Sequence, residues 1–339
     1  MKTKKIWLIV VNALIALIVI VGGITRLTDS GLSMVQWQPI HGILPPLSTQ
    51  DWNEVFNLYK QTPEFLKLNS DMTLNGFKKI FFWEYLHRIL GRVIGLAILA
   101  PYLFFLFRKS LSDTIRTRGS YMVILVIIQG IVGWYMVKSG LVHNPDVSHF
   151  RLALHMGLAF FLFQYILWTY LDLHHKDAIP YKHPIRNGFL VVLTLLVIQI
   201  IYGAFVAGLK AGYGFNTWPK MGDSWIPATA YTLKPFLLNL IENKVMIQFI
   251  HRTLGLLLGY YVIEFFIYMR RYAVNRLPKK WIKIFLVTII LQIILGIKTL
   301  IMMIPLPLAL LHQFGALVCL SVATITLFHL TKIAPDPKS

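Results

Sequence analysis

Eight stretches of about 20 apolar residues run through this chain, at roughly 6–25, 78–107, 119–138, 151–171, 187–207, 244–269, 282–301 and 306–331. Inside a bilayer no water satisfies backbone N–H and C=O groups, so each stretch must close its own hydrogen bonds as a helix. Crossing about 30 Å of hydrocarbon takes about 20 residues at 1.5 Å each. The expected fold is an all-α integral membrane protein with eight transmembrane helices. The second, sixth and eighth are long enough to tilt or to project beyond the bilayer. With 56% of its 339 residues hydrophobic and 14% charged, the chain is not an ordinary water-soluble domain.

A net charge of +19 raises the question of nucleic acid, but the distribution of charge answers it. Basic residues gather in alternate short connections, as the positive-inside rule expects. Lys2, Lys4 and Lys5 precede the first helix. Arg108, Lys109, Arg116 and Arg118 fall in the second connection, Lys176, Lys182 and Arg186 in the fourth, and Arg270, Arg271, Arg276, Lys279, Lys280 and Lys283 in the sixth. The intervening short connections carry fewer, so both termini are expected in the cytoplasm or an organelle's matrix, with the long first and fifth connections outside. The first run continues into "GGITRLTDSG" without an A-x-A-like site and reads as an uncleaved helix. The single cysteine, Cys319, lies in the last helix and allows no disulfide within the chain.

The chain also repeats itself. "GGITRLTDSGLSMVQWQPIHGILPP" from Gly22 matches "GAFVAGLKAGYGFNTWPKMGDSWIP" from Gly203 at an offset of 181, pairing Gly31 with Gly212, Trp37 with Trp218 and Pro46 with Pro227. At an offset of 164, His87 and Arg88 match His251 and Arg252, Gly91 matches Gly255, and Gly95 matches Gly259. Gln129 and Gly133 match Gln292 and Gly296 at 163, and His155 matches His312 at 157. Two four-helix bundles follow, residues 1–175 and 176–339, the first with a long outer loop over 26–77. Four spans per copy make them tandem parallel repeats rather than inverted ones.

His87, His155, His251 and His312 lie inside even-numbered spans, each roughly four to nine residues after the expected helix start and so about 6–14 Å deep. A polar group in the bilayer marks a functional site by default. Imidazole is a common haem-iron ligand, and facing helices of a bundle build cofactor sites. Two pairs at one depth therefore predict axial ligation of haem iron. Gly91 and Gly255, a turn below, are expected to leave room for a flat macrocycle. Arg88 and Arg252, with Arg92 four residues below Arg88, are placed to meet haem propionates. Zinc fits poorly, because no third ligand recurs beside each pair. Helix-to-helix hydrogen bonding and a proton relay compete with haem ligation, but a relay leaves the adjacent glycines and arginines without a role.

His174, His175 and His183 read as solvated loop residues, and His329 sits at the inner end of the last helix. His41, His143 and His149 face the outer side, where they could touch propionates or conduct protons. The copies differ one turn before the histidine: Glu84 in the first is Gln248 in the second. Only the carboxyl can accept and return a proton. A plain ion pair of Glu84 with Arg88 or Arg92 is the alternative. Residues 47–77 carry Trp52, Val55, Phe56 and Tyr59 at helical spacing, predicting amphipathic helices that lid the first bundle or simply lie on its surface.

Together, "GGITRLTDSGLSMVQWQPIHGILPP", "YKQTPEF", "MTLNGFKKIFFWEYLHRILGR", "GLKAGYGFNTWPKMG" and "QFIHRTLG" resemble the haem A synthase family, in its alphaproteobacterial and mitochondrial form, over nearly the whole length. The resemblance implies oxidation of the C8 methyl of haem O to a formyl group, giving haem A for terminal cytochrome oxidases. It implies one haem b cofactor in the C-terminal bundle, on His251 and His312 with Arg252 nearby. Haem O is then expected in the N-terminal bundle, on His87 and His155 with Arg88 and Arg92, and the family's catalytic glutamate falls on Glu84. Some bacterial members carry a cysteine pair in the outer loops; this chain has none. The implied setting is the bacterial cell inner membrane, or the mitochondrial one. Haem O synthase and oxidase assembly factors are the implied partners alongside the lipid bilayer, with no nucleic acid and with a homo-oligomer left open. The competing functions are a dihaem b electron-transfer protein, which would need no catalytic acid, and a haem transporter or chaperone.

Overall fold

In the computed structural model, residues 2–36, 43–141, 145–181, 185–271 and 276–333 are described. Each apolar run becomes a helix; seven of the helices are a little longer than their hydrophobic stretches, and the last coincides with its own. Among the described residues eight helices are long and apolar enough to cross a membrane: α1 (Lys2–Leu27), α4 (Leu74–Phe107), α5 (Asp113–Lys138), α6 (His149–His174), α7 (Arg186–Gly208), α9 (Lys244–Arg271), α10 (Arg276–Ile301) and α11 (Leu306–Thr331). The chain is thus a multi-pass membrane protein. The shorter α2 (Thr49–Tyr59), α3 (Pro63–Leu68) and α8 (Leu238–Glu242) lie in the two long connections. The one sheet among the described residues is a two-residue antiparallel pair, β1 (Ile179–Pro180) with β2 (Lys332–Ile333).

Two compact units divide the chain, residues 9–163 and residues 1–8 with 164–339. In the first, the amphipathic segment does form helices, and their starts are chemically specified. Ser48 and Asp51 make a reciprocal capping box at α2, Thr62 caps α3 ahead of Pro63, and Thr73 caps α4. The apolar face of α2 packs on the N-terminal turns of α4. Phe56, Tyr59, Phe77 and Phe81 form one buried cluster, with Trp52 edge-on to Phe81 at 5.1 Å and Phe56 stacked on Phe77 at 5.0 Å. This cap explains the length of α4: its 34 residues span about 51 Å, and the surplus over the hydrocarbon thickness is the aromatic platform beneath α2. His87 consequently lies thirteen residues past Leu74 rather than nine past the expected start. His155, His251 and His312 lie six, seven and six residues into their helices.

In the second unit α7, α9, α10 and α11 pack on one another. Lys332 pairs with Asp172 there. His175 is not a solvated loop residue: its ring lies 5.7 Å from Phe328 and 5.5 Å from His329, and burial pushes its pKa down. His174 is exposed at the end of α6.

The ends of α1 and α7 are built alike. Asp29 and Lys210, related by the offset of 181, each stand two residues beyond their helix with φ of 48° and 52°. Their N–H groups donate to Arg26 and Ala207, again equivalent positions. A left-handed residue other than glycine is uncommon, so its recurrence at matched positions reflects one turn geometry used twice. The first is also clamped by charge, through Arg26 and Asp29 at 3.1 Å, a pair the second cannot copy because Ala207 stands in place of Arg26.

Candidate functional site

The four intramembrane histidines meet in two pairs. The rings of His87 on α4 and His155 on α6 have centroids 6.4 Å apart and planes inclined at 57°. Those of His251 on α9 and His312 on α11 are 6.3 Å apart at 87°. An imidazole nitrogen binds a metal at about 2.0 Å and lies about 1.1 Å from its ring centre, so two imidazoles on opposite sides of one metal have centroids about 6.3 Å apart. Both pairs have that separation. Among the described residues no three histidine, cysteine or carboxylate side chains converge as a metal site, so each pair offers two protein ligands, the number an axial pair on a porphyrin needs. The pairs therefore fit haem iron.

Each ring rests against a glycine of a neighbouring helix. A Cβ on Gly22 of α1 would come 3.1 Å from His87 Nε2, and one on Gly203 of α7 would come 3.2 Å from His251 Cε1. On Gly133 of α5 it would come 2.9 Å from His155 Cε1, and on Gly296 of α10 only 2.7 Å from His312 Cε1. These four glycines make room for the imidazoles; Gly91 and Gly255, expected to leave room for a macrocycle, do not touch the rings. Gly91 faces Ile18 at 3.8 Å and Gly255 faces Gln199 at 3.2 Å. The reason is packing: a ring leaving one helix meets the helix beside it, whereas the residue a turn along its own helix meets a different neighbour. One turn from the glycines of α5 and α10, Gln129 and Gln292 donate from Nε2 to the backbone carbonyls of His155 (3.0 Å) and His312 (2.7 Å). They fix the backbone that carries each ring.

Arg88 and Arg252 turn outward to the loops. Arg88 donates to the carbonyls of Gln36 at 3.2 Å and Met34 at 2.9 Å. Arg252 donates from Nη2 to those of Thr217, Pro219 and Lys220 at 2.8–3.0 Å, its guanidinium 5.1 Å from the Trp218 ring. Gln36 and Thr217 are equivalent positions, so both arginines staple the same point of their loops. Nη1 of Arg252 stays buried without a hydrogen-bond partner among the described residues.

Glu84 is 3% exposed. Its Oε2 accepts from Ser33 Oγ at 2.7 Å and from the Met34 N–H at 2.8 Å, and its Oε1 accepts from Arg88 Nε at 3.1 Å and Nη2 at 2.6 Å. The ion pair with Arg88 expected as an alternative thus exists, within a larger set of donors. Gln248, equally buried, reverses the polarity: its Nε2 donates to the Phe215 carbonyl at 2.9 Å. Phe215 is the equivalent of Met34. One position therefore binds the loop through an acceptor in the first copy and through a donor in the second.

His149 is buried at the start of α6, its ring against Phe150. His41, His143, His183 and Trp37 lie outside the described residues. Sequence reasoning passed over Ser33, the four glycines that touch the rings, and Gln199, which stands where the first copy has Ile18. The matched pairs of glycines were the available signal, but their partners were not.

The family model described as cytochrome oxidase assembly protein matches residues 5–324. The chain is 44% identical over 326 residues to the haem A synthase of Nitrosospira multiformis, covering 95% of this chain and 92% of the relative. It is 42% identical to that of Flavobacterium johnsoniae over 336 residues, 98% of each, and 43% identical to that of Pelagibacter ubique over 331 residues, 96% of each.

Proposed function

The chain belongs to the cytochrome oxidase assembly family that includes the haem A synthases, and from that membership we propose that it is a membrane oxidoreductase converting haem O to haem A for terminal cytochrome oxidases. The observation that carries the site assignment is the pair of imidazole separations, 6.4 Å and 6.3 Å.

In this reading residues 1–175 and 176–339 are tandem parallel repeats with divided labour. His87 and His155 hold the iron of haem O, the substrate. His251 and His312 hold one haem b, whose chemistry when bound is to relay single electrons. Arg252, with its buried unpartnered Nη1, is assigned to a propionate of that group. Arg92, one turn beyond Arg88 on α4, is assigned to a propionate of the substrate, while Arg88 divides its donors between Glu84 and the loop above. The methyl of haem O is hydroxylated twice, and the geminal diol loses water to leave the formyl group, a net four-electron oxidation whose electrons pass to an acceptor outside the chain. With both imidazoles on its iron, the substrate is fixed in height and tilt, and the reaction is confined to its edge. Glu84, one turn from His87 and held by donors on both oxygens, is the group that takes protons there. The basic inner connections support placement in the cell inner membrane with both termini cytoplasmic.

The test is expression with haem O synthase, followed by extraction and separation of the haems. Haem A or hydroxylated haem O should accumulate with the unaltered chain and not with Glu84→Gln. Bound haem O that never changes in either protein would point to a carrier and defeat the assignment.

A further inference from the structure

The two copies differ at a second buried position that touches the first difference. Ser33, 2% exposed, donates to Glu84 Oε2 at 2.7 Å. At the offset of 181 that relates the outer loops, Ser33 corresponds to Gly214; at 164, Glu84 corresponds to Gln248. The hydroxyl is present in the copy that keeps a carboxylate and absent from the copy that has an amide.

A hydrogen bond donated to the charged form of an acid stabilises that form. Three groups donate hydrogen bonds to Glu84. Arg88 contributes charge to Oε1 but is also tied to the loop carbonyls of Met34 and Gln36. The Met34 N–H is backbone and present whatever the side chain. Ser33 can be changed without removing a charge; its Oγ also lies 3.1 Å from the Ser30 carbonyl within the loop, a contact that Ser33→Thr keeps. Besides Arg88, the titratable groups around Glu84 are Tyr59 on α2 and His87 a turn further along α4. The Tyr59 phenol, pushed up by burial, accepts from Asn69 Nδ2 at 2.9 Å.

We propose that Ser33 is a positioning residue for haem O oxidation: its hydroxyl fixes Oε2 of Glu84 and so holds the carboxylate in place one turn before His87. The proposal rests on the reading of Glu84 as the proton acceptor.

The experiment measures conversion of bound haem O against pH in full-length protein co-expressed with haem O synthase, for the unaltered chain, Ser33→Ala, Ser33→Thr and Glu84→Gln. Haem content and absorbance are recorded for each. Ser33→Ala should bind the same haem with the same spectrum while the acid limb of its rate profile moves up by about one to two pH units. Ser33→Thr, which restores the hydroxyl, should move the limb back. An unmoved limb in Ser33→Ala beside an inactive Glu84→Gln overturns the role of Ser33 and leaves that of Glu84 standing. Full activity in Glu84→Gln overturns both. Loss of bound haem in Ser33→Ala that Ser33→Thr repairs makes the hydroxyl structural and also overturns the proposal.

Discussion

Replacing Gly296 with alanine perturbs the second histidine pair through one methyl group. The added Cβ would stand 2.7 Å from His312 Cε1, whereas ordinary contact begins at 3.4 Å, so the ring must retreat by about 0.7 Å. Plausible metal sites tolerate ligand distances within about 0.2 Å. Gln292 holds the backbone carbonyl of His312 at 2.7 Å, so the retreat falls on the side chain that carries the ligand nitrogen. Overpacking of this kind costs about 1–3 kcal/mol, and loss of a ligand's supporting contact typically lowers metal affinity about 10–100-fold. Helix propensity works the other way, since alanine favours a helix interior by roughly 0.5–1 kcal/mol over glycine; a loss of haem would not stem from a weakened α10. The comparison that isolates the effect is Gly203→Ala, where the Cβ meets His251 Cε1 at 3.2 Å and about 0.2 Å of adjustment suffices. Haem per polypeptide and the reduced-minus-oxidised absorbance of purified protein should therefore show Gly296→Ala depleted and Gly203→Ala close to unaltered. In the first pair Gly133→Ala, at 2.9 Å, should be more damaging than Gly22→Ala, at 3.1 Å. Equal haem retention in all four variants, or the reverse order, would refute the claim that these glycines set the ligand geometry.

Gln248→Leu should destabilise the protein by about 1–3 kcal/mol, since the Phe215 carbonyl would lose the donor that Gln248 supplies; thermal unfolding in detergent measures this, and unchanged stability would contradict the polarity argument. At the start of α2, hydrogen bonds from the Ser48 backbone, the Ser48 side chain and the Leu47 backbone hold the Asp51 pKa below the usual carboxylate range. Because its folded pKa is lowered, the capping contribution is present above the ordinary aspartate pKa and lost as pH falls through the lowered value. Hydrogen exchange at the first turn of α2 should accelerate over that acid window, and Asp51→Asn should remove the pH dependence.

The lengths of the apolar runs and the repeat offsets were sufficient to place eight helices, because each obeys a local rule: a segment in hydrocarbon must satisfy its own backbone, whatever surrounds it. The candidate ligands were legible for the same reason, as polar residues in such segments need a function. The amphipathic segment was legible as helix, but its use as a platform under which α4 lengthens was not; that follows from aromatic packing between α2 and α4. Gly22, Gly133, Gly203 and Gly296 stood out as repeated, yet only packing between neighbouring helices assigned each to an imidazole. Spacing alone likewise did not reveal that Arg88 and Arg252 donate to loop carbonyls, contacts that depend on how the outer loops fold back on α4 and α9. The sequence by itself determined which segments span and which side chains are anomalous, since burial in lipid acts on each helix separately. The tertiary structure decided who meets whom, because distances across a bundle depend on rotation and height of adjacent helices, quantities no single helix contains.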